Sequence, residues 1–352
     1  MIRVGLVGFG MAGRVFHAPL ISSVEGLELA AVVERTSNHA AERYPGVTIH
    51  RSLEELLADT SIKLVVVATP NNTHFEVALQ ALEAAKNVVV DKPMAVTSAE
   101  IAQLAELAGG LGLQVIPFHN RRWDGDFRTV QTLLHEKLLG SLVHYESNFD
   151  RWRPGAASRA WREDADQGGI LLDLGTHIVD QALTLFGLPE SVSAEVRRER
   201  DGEGANDSFA LRLHYYTGFS VTLGANCLSS LARPRFHLRG SRGNFWKWGL
   251  DPQEDALGQI TRIDAANWGK EPADRWGTLR VDDDGNIVTR PIETAAGDYR
   301  PFYEGVRDAL LGKGPAPVAC ADAWRAARVL EWAAESSKAH RDIECDWNGA
   351  PE

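Results

Sequence analysis

Lys92 closes the apolar run Val88-Val89-Val90-Asp91-Lys92-Pro93, and Asp173 and His177 stand four apart in Gly168-Gly169-Ile170-Leu171-Leu172-Asp173-Leu174-Gly175-Thr176-His177. An ammonium group can stabilise a developing alkoxide, and an imidazole can take up or return a hydroxyl proton. In a helix the spacing of Asp173 and His177 puts both on one face, one turn apart. Three readings of that pair follow. The imidazole removes a substrate proton while the carboxylate orients substrate or base, or the two share a metal ion. In the third, they form a buried ion pair with only structural value, because the apolar neighbours Ile170, Leu171, Leu172, Leu174, Ile178 and Val179 bury the helix and polar groups there need partners. The residues alone leave all three open.

Lys92 needs a frame, and the start of the chain supplies its signature. A strand-like stretch from Ile2 to Val7 runs into Gly8-Phe9-Gly10-Met11-Ala12-Gly13. Gly8 permits a tight turn, Gly10 lets the backbone approach a pyrophosphate, and Gly13 lets the following helix pack close to the strand. The helix then aims its amides and positive dipole end at the phosphates. Glu34 follows about twenty residues after Gly13, where an acid accepts hydrogen bonds from the adenosine ribose and favours NAD over NADP. Arg35 and Thr36 complicate that preference, since an arginine can stack on adenine or pair with a 2′-phosphate. In the later loop Thr69-Pro70-Asn71-Asn72-Thr73-His74, Asn71 could bond the nicotinamide ribose, while Asn72 or Thr73 could simply cap the next helix. A lysine at the end of a later strand sits at the carboxyl edge of such a sheet, where a doubly wound fold presents its cofactor.

The pattern of elements agrees. Short β-branched runs at residues 4–7, 27–33, 47–50, 63–68, 87–90 and 114–118 alternate with helical stretches, predicting a parallel sheet covered on both faces. After Asn120 the character changes. Helices are expected over residues 127–139 and 169–186, closed by Gly140 and Gly187. Alternating strands follow at 142–149, 192–199, 208–216, 220–227, 235–239 and 244–248, with Asp283-Asp284-Gly285 as a hairpin signal and a final helix over 321–339. The expected fold is therefore α/β. An N-terminal doubly wound Rossmann sheet, residues 1–121, precedes an α+β domain, residues 122–352, with a large, mostly antiparallel open sheet for substrate binding and self-association.

Composition narrows the class. A chain of 352 residues with 44% hydrophobic and 24% charged residues is a globular protein of about two domains. A net charge of −11 argues against a nucleic-acid partner, and the one basic run, Arg197-Arg198-Glu199-Arg200, reads as a solvated strand edge. The 3 cysteines, Cys227, Cys320 and Cys345, are scattered without metal or disulfide spacing, which implies a reducing compartment. No basic leader with a cleavable apolar core and no membrane-length apolar run is visible, so a cytoplasmic location away from membranes is expected.

The fingerprint, Asp91-Lys92-Pro93, and Gly168-Gly169 leading to Asp173 and His177 together resemble the Gfo/Idh/MocA family of nicotinamide-dependent sugar and polyol oxidoreductases. Phe16-His17-Ala18-Pro19-Leu20, His119-Asn120-Arg121-Arg122-Trp123-Asp124 and Gly240-Ser241-Arg242-Gly243 resemble the branch holding the scyllo-inositol 2-dehydrogenases. The resemblance implies a catalytic set of Lys92, Asp173 and His177, with no metal. Asp91 stands where the family usually has glutamate. It implies an NAD or NADP surface made by Gly8, Phe9, Gly10, Met11, Ala12, Gly13, Glu34, Arg35, Thr69, Pro70, Asn71, His74, Asp91 and Lys92. Trp161-Arg162 resembles a family pair that touches the cofactor. Asn120, Arg122 and Trp123 are expected to project toward a polyol or sugar beside Lys92, Asp173 and His177, whereas Asp124 reads equally as a helix cap and Arg121 as a surface charge. A homodimer or homotetramer is expected. The competing reading is a non-catalytic NAD(P)-binding regulatory protein of the same fold.

Overall fold

The computed structural model describes residues 1–155 and 168–351. Six strands, β1 (Ile2–Val7), β2 (Leu27–Val33), β3 (Thr48–His50), β4 (Leu64–Val67), β5 (Asn87–Val90) and β6 (Val115–Pro117), form a sheet in the order β3-β2-β1-β4-β5-β6. Every neighbouring pair is parallel. Leu64 to Val67 and Val88 to Val90 are fully buried, as strands covered on both faces must be, which is why they read as unbroken apolar runs. The strand order reverses beside β1, between β1 and β4. Ligands of such sheets settle in that crevice, at the carboxyl ends of the strands.

Among the described residues the second sheet has nine strands: β7 (Leu142–Asn148), β8 (Ser191–Arg197), β9 (Ser208–His214), β10 (Ser220–Asn226), β11 (Phe236–Gly240), β12 (Gly243–Lys247), β13 (Gly277–Asp283), β14 (Asn286–Ile292) and β15 (Ile343–Glu344). Their order is β14-β13-β12-β11-β7-β10-β9-β8-β15, antiparallel apart from the β7–β10 pair. Asp284 and Gly285, at φ 50 and 86, make the two-residue turn between β13 and β14 that the aspartate-glycine signal predicts. The helices Thr176–Phe186 and Cys320–Ala339 cover one face, burying Ile178, Val179, Val329 and Leu330 against Leu211, Leu213 and Val221. Tyr299, Phe302, Tyr303 and Val306 join the core around β1 and Phe118, and Trp324 joins the one around β4 and β5. Late residues thus complete the packing of the first sheet. Among the described residues no helix is long and apolar enough to cross a membrane.

Three expectations are corrected. The helix after Asn120 runs Gly125–His135 rather than to residue 139, because Lys137 adopts φ 53 and breaks it. The helix expected over residues 169–186 is present from Ile170, one residue after Gly169 at φ 89, to Phe186, but its first turn, Leu171–Gly175, is π-wound before it passes into Thr176–Phe186. The basic run is a solvated strand edge only in part: Arg197, the last residue of β8, and Glu199 are exposed, whereas the Arg200 Nε atom is 2.7 Å from Oδ2 of buried Asp207.

Candidate active site

Lys92 follows β5 at the carboxyl edge, and its Nζ atom donates to the Asp173 backbone oxygen at 2.7 Å and to Asp173 Oδ1 at 2.8 Å. The two residues are 81 apart in sequence, so the contact joins the first sheet to the π-wound turn of the second half. The carboxylate therefore meets the lysine, and among the described residues no ion pair links it to His177, as the structural reading of that pair required. His177 is buried, and its Nδ1 atom has no hydrogen-bond partner among the described residues. Burial first, then the charges of Lys92, Arg121, His119 and Arg235, hold its pKa well below the ordinary 6.5. The imidazole is neutral at neutral pH and able to accept a proton.

A cavity of about 460 Å³ brings these groups together with the glycine turn. Gly10, Met11, Ala12, Thr69, Pro70, Asn71, Asp91, Lys92, Asn120 and Arg121 line it from the first half, and Arg151, Arg153, Asp173, Leu174, His177 and Glu254 from the second. Burial opposes the Asp91 charge, but the His17 ring 3.8 Å away and Lys92 beside it hold its pKa below the ordinary carboxylate value. Among the described residues no cluster of His, Cys, Asp and Glu is arranged to hold a metal ion.

The glycine turn fits a dinucleotide. A Cβ on Gly13 would lie 2.1 Å from the Gly8 carbonyl oxygen, so only glycine lets helix and strand approach this closely. A Cβ on Gly10 would meet no atom within 4 Å and would project into the open space a phosphate needs. Gly8 itself, at φ 97, makes the bend. Phe9 packs edge-on against Tyr44 at 6.2 Å and is not in the cavity lining. His74 is also outside it: its ring nitrogens lie 2.7 Å from the Pro93 oxygen and 2.9 Å from the Thr69 oxygen, tying the Asn71 loop to the segment after Lys92. Neither Asn72 nor Thr73 caps through its side chain; the Thr73 hydroxyl lies 2.7 Å from the Pro70 oxygen and 2.8 Å from Thr69 Oγ1.

The adenosine end differs from its sequence reading. The Glu34 carboxylate is turned inward, accepting from Ser37 Oγ at 2.6 Å and from the Ala40 amide at 2.8 Å in the helix His39–Arg43. Arg35 is exposed. Trp161 and Arg162 lie outside the described residues.

Four neighbours near residue 120 separate sharply. Asn120–Trp123 is a 3₁₀ turn, in which successive side chains point about 120° apart. Asn120 and Arg121 face the cavity. Arg122 does not: it pairs with Asp180 at 2.6 Å and Asp322 at 3.1 Å, away from the site it was expected to enter. Trp123 is likewise turned aside, edge-on to Phe302 at 5.9 Å. Arg121 is no surface charge. It is buried, pairs with Glu254 at 2.8 Å and Asp124 at 3.3 Å, and lies 5.0 Å from the centre of the Phe149 ring. Asp124 stands at the N-cap position of the helix Gly125–His135, but its side chain accepts from the Tyr299 hydroxyl at 2.6 Å rather than from the helix amides. The sequence reading missed Arg151, Arg153 and Glu254. Only their distance from the fingerprint in sequence hid them.

Residues 2–119 match the oxidoreductase family with an NAD-binding Rossmann fold, and residues 127–246 match the GFO/IDH/MocA C-terminal domain. The oxidoreductase YdgJ of Escherichia coli K12 is 41% identical over 98% of this chain and 98% of its own length. The scyllo-inositol 2-dehydrogenase (NADP(+)) IolW of Bacillus subtilis 168 is 33% identical over 97% of this chain and 95% of its own. A solved structure, the YPO2259 oxidoreductase of Yersinia pestis, superposes with a TM-score of 0.93 at 40% identity, covering 98% of this chain and 97% of that one.

Proposed function

The chain belongs to the GFO/IDH/MocA oxidoreductase family, and we propose that it moves a hydride between NAD or NADP and a secondary alcohol or ketone of a cyclic polyol or sugar. The meeting of the Lys92 ammonium group with Asp173, in a cavity shared by the glycine turn and the neutral His177, carries this reading. Nicotinamide, when bound, supplies or takes the hydride. Lys92 holds the substrate oxygen and stabilises its developing negative charge. Asp173 fixes the ammonium group in place. His177 takes the hydroxyl proton on oxidation and returns it on reduction. Its depressed pKa makes the imidazolium short-lived, so the lysine must make the hydroxyl more acidic before the proton moves.

Substrate class rests on two supports: the polar lining that includes Asn71 and Asn120, and the scyllo-inositol activity in the name of the Bacillus relative. Glu34 is the one argument for NAD, and its inward turn weakens that argument, so both dinucleotides belong to the proposal. The reading includes a dinucleotide-binding unit over residues 1–121 and a substrate-binding and self-associating unit over 122–352, in a cytoplasmic homodimer or homotetramer. A panel of polyols and ketosugars, run with NAD and NADP in both directions, tests it. Turnover of a ring polyol or its ketone is the expected result. A panel that never changes the absorbance of the reduced nicotinamide would overturn it.

A further inference from the structure

Two arginines in the cavity have no ion-pair partner among the described residues. Lys92 is paired with Asp173 and Arg121 with Glu254, each at 2.8 Å. Among the described residues, neither the Arg151 nor the Arg153 side chain makes a hydrogen bond or an ion pair, and Arg151 only leans on the Phe149 ring at 5.1 Å. They are nevertheless held in place. Beyond β7 the backbone is pinned to residues 226–229: the Arg151 amide donates to the Asn226 oxygen at 2.8 Å, the Arg153 amide to the Cys227 oxygen at 2.7 Å, and Trp152 bridges Leu228. An extended segment alternates its side chains. Both arginines therefore face the cavity while Trp152, 58% exposed, points to solvent.

We propose that Arg151 and Arg153 bind an oxyanion on the substrate, so that the site takes a polyol or sugar bearing a carboxylate or phosphate group rather than a neutral one. This rests on the reading that the cavity binds such a substrate beside Lys92. Arg151, partly buried and without an ion-pair partner among the described residues, is costly to hold until an anion meets it, while Arg153 is exposed; the planar guanidinium fork matches both candidate groups. Burial and the neighbouring Arg153 already press the Arg151 pKa down. The carboxylates that act on Arg151 are those of Asp173 and Glu254, which sets it at the substrate end of the cavity.

The test uses the full chain and matched probes: glucose against glucuronate, and myo-inositol against its monophosphate, each with NAD and NADP. At least one anionic member should exceed its neutral partner in kcat/KM by on the order of tenfold or more, the value of a charge-assisted bond. Which pair responds separates carboxylate from phosphate. Arg151→Gln should collapse that ratio, and Arg151→Lys should keep part of it. Equal or better use of both neutral members overturns the proposal. So does an unchanged ratio in Arg151→Gln accompanied by weaker NADPH binding, which would assign the guanidinium to the cofactor. If no probe turns over, the wider polyol and ketosugar panel decides the reaction proposed above, and calorimetry on the NADP-loaded protein decides the anion question separately: tighter binding of an anionic member supports it, and equal or absent binding overturns it.

Discussion

The two ends of the cavity are built from different materials. The cofactor end is backbone: three glycines within six residues, a bend at Gly8, a close approach at Gly13 and open space at Gly10. The chemical end is side chain, and its partners come from far apart, Lys92 meeting Asp173 across 81 residues and Arg121 meeting Glu254 across 133. Local backbone geometry writes itself into local sequence. A constellation of distant side chains does not, because its spacing is set by how two sheets pack.

The comparison can be broken by separating binding from turnover. Lys92→Ala carries the largest expected effect. Turnover should fall by about three orders of magnitude, the scale of losing a charge aimed at a developing oxyanion. Cofactor affinity, measured by fluorescence titration, should change by no more than a few-fold. Comparable losses in both would mean that the two ends are not separate devices. Gly10→Ala should show the reverse, a raised KM for the dinucleotide in a protein of unaltered melting temperature.

Arg122→Ala sharpens the contrast between neighbours in one turn. It strands the buried Asp180 carboxylate, which should cost about 3–5 kcal/mol in chemical denaturation. Substrate KM should stay near wild type in the fraction that folds, because Arg122 faces away from the cavity. Gly13→Ala is next, at about 1–3 kcal/mol, since helix and strand must part to admit the methyl group. A normal melting temperature there would contradict the close approach.

Sequence reading went far with the fold, for identifiable reasons. Strands such as Leu64–Val67 and Asn87–Val90 are buried on both faces, and the resulting apolar runs are hard to misread. The Asp284-Gly285 turn needs positive φ twice, which few residue pairs tolerate. Lys92, Asp173 and His177 could be named together from their motifs, and the structure brings all three to one cavity. Reading failed where the backbone left its ordinary period. A 3₁₀ turn exchanged the expected places of Arg121 and Arg122, and a π-wound turn replaced the helix start before His177. Arg151 and Arg153 were invisible because nothing nearby in sequence states that residues 226–229 hold them extended.

The smallest predicted effect is on pH. A histidine of ordinary pKa would lose its base form as pH falls through about 6.5. With the folded pKa held well below that value, kcat/KM for alcohol oxidation should remain level through 6.5 and decline only at lower pH. The same shift makes the folded form bind fewer protons than the unfolded chain, so the stability contribution of His177 is complete above 6.5 and diminishes as pH drops below it. An acid limb centred at the ordinary histidine value would contradict the burial argument.

A crystal structure of the ternary complex with NADP and a polyol that turns over tests the central claim most directly. The account predicts one substrate oxygen within about 2.6–3.2 Å of both the Lys92 Nζ atom and a ring nitrogen of His177, with its carbon facing the nicotinamide. A substrate oxygen held by neither group, or a nicotinamide ring outside the cavity, would contradict it.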